Sequence, residues 1–300
     1  MPVTGEVFDE IQVDGFNLRT GWCLLVASSR GRPVAFQWAG SENTAAWSAL
    51  LQQVPKPVVV ISDGGSGLAS ALAEHWPNAK HQRGLVHLQR NVRRYTTMNS
   101  KTAAGRALWG LARKLTRVHS LDDMTAWLQL LAQWETEFLH LTKKRTYAKD
   151  ATIRPAWVKP NQTWWFTHLR LRQGHQVLAR RIRANDMFTF LDPDLAALHV
   201  SSTTNQIEGG INAPIRELLH RHRGLNEEHQ RRALEWWLYL HHPAKRSALE
   251  ALDNAVQAPT MGGDSAAAAT TEDLDAPALY DTGMTADEGL WHRSGWAGRG

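Results

Sequence analysis

A chain of 300 residues with 43% apolar composition and 14 Trp can bury a substantial core, as one large domain or two modest ones. No run reaches the ~18 uninterrupted apolar residues of a membrane span, and the start MPVTGEVFDE lacks a signal peptide's basic-then-apolar layout, so the chain reads as soluble and cytoplasmic, with no membrane partner. The single cysteine, Cys23, excludes an internal disulfide and a multi-cysteine zinc site.

The formal charge of +5 conceals an asymmetry. Residues 254–300 hold seven acidic side chains against Arg293 and Arg299, which leaves residues 1–253 at +10. Between Lys80 and Arg117 there are ten Lys or Arg and no Asp or Glu, and between Lys143 and Arg183 eleven against the single Asp150. One such stretch reads as a solvated helix face, but two nearly free of acid point to a polyanionic partner, usually nucleic acid.

In chain order, Glu10 to Val13, Trp22 to Ser28 and Pro33 to Trp38 are short, rich in β-branched or aromatic residues, and separated by turn signals. Links this short predict antiparallel neighbours, and Cys23, in WCLLVAS, reads as a buried strand residue. Thr44 to Val54 is predicted helical, Val58 to Ser62 is an apolar strand, Gly65 to His75 is helical, and Lys80 to Arg83 is a polar candidate for a fifth strand. Hairpins followed by alternating helix and strand predict an α/β fold with a mixed sheet.

From Leu88 to Val200 the spacing turns helical. Trp127, Leu131, Trp134, Phe138 and Leu141 recur every three or four residues, one buried stripe of a single helix. Pro155 and Pro160 mark a break, and a helix is predicted over Trp164 to Ala184. Ser201 to Asn205 is a polar connection before another helix, and Glu227 to His241 is the last. Beyond Asn254 the chain is rich in Ala, Gly, Asp and Thr without periodicity and reads as disordered.

Three acidic residues carry the chemistry. Asp14 follows the strand EIQV and Asp63 follows VVVIS, each with glycine next in sequence. Carboxylates at the carboxyl ends of adjacent parallel strands can share a metal ion, whereas Asp-Gly by itself is also ordinary turn chemistry. Glu208 lies in SSTTNQIEGGINAPIREL, three residues after Asn205, a spacing that also fits a capping box; Glu217 is the competing acid.

The segments IQVDG, VVVISDGGSGL, QRGLVHLQRNV and TTNQIEGGIN, in this order from about residue 10 to 240, together resemble the Mutator-type family of bacterial insertion-sequence transposases. The resemblance implies a ribonuclease H-like core (residues 1–87 and 201–253) interrupted by an all-α insertion (88–200) and followed by an acidic tail (254–300). It implies Asp14, Asp63 and Glu208 as the catalytic, metal-binding triad of a DDE transposase holding two Mg²⁺ or Mn²⁺ ions. His87 matches the family's Cys-x-x-His histidine and Asn205 stands beside Glu208, both as supports, but Gly84 stands at the cysteine position.

The implied partners are DNA, as element ends and target, and a second copy of the chain, with bacterial nucleoid association. Asp14 comes early for a family whose members carry a DNA-binding region ahead of the core, so the chain reads as an N-terminally shortened member. Arg90, Arg93, Arg94, Arg180, Arg181, Arg183, Arg216, Arg221 and Arg223 are the candidate phosphate contacts. Trp164 and Trp165 are candidates for stacking on a base, with core packing as the alternative.

Carboxylates suit Mg²⁺ or Mn²⁺, and the reaction implied is strand cleavage by water followed by strand transfer from a 3′-hydroxyl. The alternatives are an inactive DNA-binding remnant and a structure-selective nuclease on the same fold. Asp63-Gly64-Gly65-Ser66-Gly67 matches neither a phosphate loop nor a dinucleotide fingerprint, which leaves nucleotide binding the weakest reading.

Overall fold

The computed structural model describes residues 5–18 and 21–244, so the acidic tail lies outside the described residues. Two compact units divide the chain: Met1–Lys80 with Thr204–Gly300, and His81–Thr203. Among the described residues no helix is long and apolar enough to cross a membrane.

Alternation of side chains builds the first unit. Strands β1 (Glu10–Asn17), β2 (Cys23–Ser29) and β3 (Arg32–Ala39) form antiparallel neighbours, and β4 (Val59–Ser62) lies parallel to β1. With β5 (Lys80–Arg83) the five-stranded order is β3-β2-β1-β4-β5, a mixed sheet in an α/β fold. The polar segment KHQR is thus a strand, as its position predicted.

Because strand side chains alternate, Ile11, Val13, Cys23, Leu25 and Ala27 share one face. They pack there with Trp47 and Leu50 of α1 (Thr44–Leu51) and Leu68 and Ala71 of α2 (Ser66–His75). Leu24 and Val26 point the other way, into a second core with Ile207, Ile211, Ile215, Leu234 and Leu238. Those residues come from one helical run, α7 (Asn205–Ile207), a π turn (Glu208–Asn212) and α8 (Ala213–Arg221), and from α9 (Glu227–His241). Two apolar faces of one sheet therefore each acquire a helical layer.

Asp14 does not end β1 as expected. The strand continues to Asn17 because β2 goes on pairing with it, through Asp14↔Val26 and Gly15↔Leu25 to Asn17↔Cys23. Only the parallel partner stops near Asp14, the last pair being Val13↔Ser62.

The second unit is mainly helical: α3 (Leu85–Thr96), α4 (Ala103–Leu115), α5 (Leu121–Lys143) and α6 (Leu169–Ala184). The predicted stripe lies on α5, where Trp127, Leu131 and Trp134 are buried and Phe138 and Leu141 pack against the same core. Each buried indole finds an acceptor, Trp127 donating to Leu111 O at 2.9 Å and Trp134 to Ala104 O at 3.0 Å. A capping box at Ser120 and Asp123 starts α5.

Two expectations for this unit are corrected. The interruption is not all-α, because β6 (Arg145–Tyr147) and β7 (Trp164–Phe166) form an antiparallel ribbon. The helix expected from Trp164 begins at Leu169 instead. Three consecutive aromatics favour a pleated surface, and pairing with β6 holds them extended.

Candidate active site

The parallel register carries the geometry. Glu10↔Val59, Ile11↔Val60, Gln12↔Ile61 and Val13↔Ser62 are level, and continuing by one residue brings Asp14 level with Asp63. Neighbouring strands run about 4.8 Å apart, so the two carboxylates spring from adjacent points. Alternation puts Asp14 on the face opposite the buried Ile11 and Val13, the face covered by the α7 to α8 run.

That run is anchored to the sheet by polar contacts beside its isoleucine stripe. The buried Gln12 accepts the Ile207 N–H at 3.3 Å through Oε1. Asn212, also buried, donates from Nδ2 to Asp14 Oδ2 at 2.6 Å, while Asp14 Oδ1 accepts the Gly15 N–H at 3.0 Å. Both oxygens of Asp14 thus have a donor, which restricts the carboxylate's rotation.

Glu208 is four residues before Asn212 and so shares its side of the helix, about 5 to 6 Å away along it. Its backbone N–H donates to Thr204 O at 3.0 Å, and Thr204 Oγ1 donates to Glu208 Oε1 at 3.4 Å. Thr204 is the residue preceding α7 and is buried. The helix widens immediately after Glu208: the Ala213 N–H reaches back five residues to Glu208 O. Pro214 explains this locally, since it has no N–H to offer the preceding turn, and π turns recur at functional sites.

Among the described residues no group of three or more His, Cys, Asp or Glu is gathered closely enough to hold a metal ion. Asp14 and Asp63 thus each stand one residue beyond the last paired positions of β1 and β4, and Glu208 lies one turn from the amide that bonds Asp14. Glu42 lies beside the odd-numbered face of β1 instead, its Oε1 accepting Asn17 Nδ2 at 3.2 Å and its side chain filling the space beside Gly15. Burial first, then the negative charges of Glu42 and Asp14, push the Cys23 thiol well above its ordinary range.

Of the candidate supports, Asn205 opens α7 and is exposed, and His87 lies in the first turn of α3, whose N-cap is Gly84. Arg90 and Arg93 are exposed on α3 and Arg94 is partly so. On α6, Arg180 and Arg183 are exposed, whereas Arg181 turns to Asp186 in a 2.7 Å ion pair. Arg216 sits over the Phe16 ring at 5.5 Å, Arg221 pairs with Glu217 at 2.9 Å, and Arg223 is exposed. Asn212, Thr204 and Gln12 carry no signal of their own in the sequence; Pro214 and the paired Gly209-Gly210 near Glu208 mark an irregular helix.

Residues 32–154, from β3 through β6 and into the following loop, match the family model described as transposase, Mutator family. Over these residues the chain is similar to Mutator-family transposases. The matched region contains Asp63; Asp14 and Glu208 lie on either side of it. Over 64 residues the chain is 36% identical to the transposase for insertion sequence element IS905 of Lactococcus lactis subsp. lactis (strain IL1403), covering 20% of this chain and 16% of that protein. Over 110 residues it is 26% identical to the transposase for insertion sequence element IS1201 of Lactobacillus helveticus, covering 35% of this chain and 29% of that protein. The chain thus spans less than a third of either curated relative in these matches.

Proposed function

We propose that this chain is the catalytic core of a DDE transposase of ribonuclease H-like type, cutting and joining DNA strands with divalent metal held by Asp14, Asp63 and Glu208. The observation that carries the reading is the β1 to β4 register, which levels Asp14 with Asp63 on the sheet face crossed by the helix bearing Glu208. Similarity to the Mutator transposase family over residues 32–154 supports DNA as the substrate. The exposed arginines of α3 and α6 fit phosphate contacts, which supply affinity and positioning rather than sequence choice.

The donor set fits a hard divalent cation: three carboxylates, with Asp14 already oriented by Asn212 and Gly15. Bound there, Mg²⁺ or Mn²⁺ would supply activation of the attacking oxygen and charge stabilisation at the leaving one. The chain's own contribution is to fix Asp14, to hold Asp63 level with it, and to release Glu208 from the Thr204 hydroxyl toward them. In cleavage, water's oxygen bonds to phosphorus as the bond to the 3′-oxygen breaks, leaving a 3′-hydroxyl and a 5′-phosphate. In transfer, that 3′-hydroxyl attacks a target phosphodiester and displaces another 3′-oxygen.

The test is incubation of the chain with element-end DNA and Mg²⁺ or Mn²⁺, alongside Asp63→Asn. The reading expects metal-dependent nicking by the native chain and none by the variant, with unchanged circular dichroism. Nicking retained by Asp63→Asn sinks the assignment. Salt-sensitive DNA binding by the native chain, without nicking in either metal, would identify a binding remnant instead.

A further inference from the structure

Within the second unit, the β6 to β7 ribbon sorts its side chains by face. Arg145 is opposite Phe166 and Tyr147 opposite Trp164, so these four share one face, while Thr146 and the buried Trp165 share the other. Trp165 thus answers the core-packing alternative, and Trp164 does not: it is only partly buried and lies on the opposite face.

The outer face is a layered surface of rings and guanidinium planes. Arg145 lies over Trp164 at 4.2 Å, Arg172 lies over Phe166 at 4.1 Å, and Trp164 meets Phe166 edge-on with centroids 5.2 Å apart. Tyr147 is 45% exposed at its end. The loop carried by the ribbon presents Trp157, 55% exposed, and is braced by Arg154, whose Nη1 donates to the carbonyls of Lys159, Pro160 and Gln162. Lys143, Lys144, Lys149 and Lys159 are all exposed around it, against the one acidic residue, Asp150.

Large aromatics kept at a surface that is otherwise strongly basic are poorly explained by core packing. They match a ligand that combines flat π faces with negative charge. Unpaired nucleic-acid bases have that chemistry, stacking on rings and guanidinium planes while lysines meet the phosphates. A closed duplex offers phosphates but no free base faces.

We propose that the exposed face of the β6 to β7 ribbon, Arg145, Tyr147 and Trp164 with Trp157 on its loop, is a stacking platform for unpaired DNA bases. The proposal rests on the reading of the chain as a DNA-processing protein.

The test measures fluorescence anisotropy of labelled single-stranded and duplex DNA of equal length, without metal, using the full chain and the variants Tyr147→Ala, Trp157→Ala, Trp164→Ala and Trp164→Phe. Each alanine variant is expected to lose roughly ten- to a hundredfold in single-strand affinity, with duplex affinity within twofold and Trp164→Phe close to native. Tyr147 and Trp157 are exposed, so their variants keep the test informative even if Trp164→Ala unfolds the ribbon. Unchanged single-strand binding in both Tyr147→Ala and Trp157→Ala, or equal losses for single strand and duplex, overturns the proposal. Its failure is separable from failure of the catalytic reading: the latter appears as absent nicking by the native chain, whatever these affinities are.

Discussion

Asn212 Nδ2 donates to Asp14 Oδ2 at 2.6 Å, tying the helical run that carries Glu208 to the strand that carries Asp14. The two residues are far apart in sequence, and the bond is buried on the Asn212 side. A hydrogen bond to a charged group contributes on the order of 1.5 to 3 kcal/mol, and groups that orient a metal ligand typically govern ten- to a hundredfold in metal affinity. Asn212→Ala is therefore expected to lower unfolding free energy by about 1 to 3 kcal/mol and to raise the Mg²⁺ or Mn²⁺ concentration for half-maximal thermal stabilisation at least tenfold. A stability loss with an unchanged metal midpoint would reduce Asn212 to a packing role.

Gly67 and Gly15 both face Glu42, with different consequences. A Cβ on Gly67 would lie 2.8 Å from the Glu42 backbone carbonyl, whereas one on Gly15 would meet only the Glu42 carboxyl end, which can swing away. Gly67→Ala should cost about 1 to 3 kcal/mol through forced backbone shifts, and Gly15→Ala clearly less. Chemical denaturation of the two variants side by side checks the order; Gly15→Ala as the more damaging change would contradict the packing described.

His81 makes the second unit acid-sensitive. Burial first, then repulsion by Arg83 and Arg181, lowers its pKa to about 3. The ring is neutral at physiological pH, so its 3.8 Å approach to Asp186 is a contact without a charge pair, and the partner of Asp186 is Arg181. The unfolded chain takes up the proton near the ordinary value of 6.5 and the folded chain does not. Stability from this group is thus full above about pH 6.5 and declines down to about pH 3, by at most ~1.4 kcal/mol per pH unit. Asp186 acts in the opposite sense, since burial raises its carboxyl pKa despite Arg181 and Arg83. His81→Gln should flatten the fall in unfolding free energy between pH 6.5 and 4.5; an unaltered slope would remove His81 from the account.

Cys23 is expected to be inert while the chain is folded. It is fully buried in β2, and burial with the nearby charges of Glu42 and Asp14 keeps its thiol protonated. A thiol reagent at pH 8 should label it only after denaturant unfolds the sheet. Rapid labelling of the native chain would show that this end of β2 opens.

The residues themselves determined much of this protein. The apolar runs in WCLLVAS and VVVIS mark strands buried on both faces, and the helical stripe from Trp127 to Leu141 reports which side of its helix is buried, properties set by the spacing of neighbours in the chain. The four ordered segments carry the resemblance to Mutator-type transposases, and Asp14, Asp63 and Glu208 lie in three of them.

The rest depends on contacts between distant residues. That β1 lies beside β4 in the register levelling Asp14 with Asp63 is a choice of partner, and no local pattern encodes it. The same holds for β1 running on to Asn17, which β2 dictates, and for Trp164 to Phe166, where three residues are too few for a period to distinguish strand from helix. Asn212 reads as an ordinary helix residue until the π turn and the isoleucine stripe bring its amide to Asp14. Local periodicity records burial, whereas a site is made by side chains meeting across the fold, and the free energy that brings them together belongs to the packed whole.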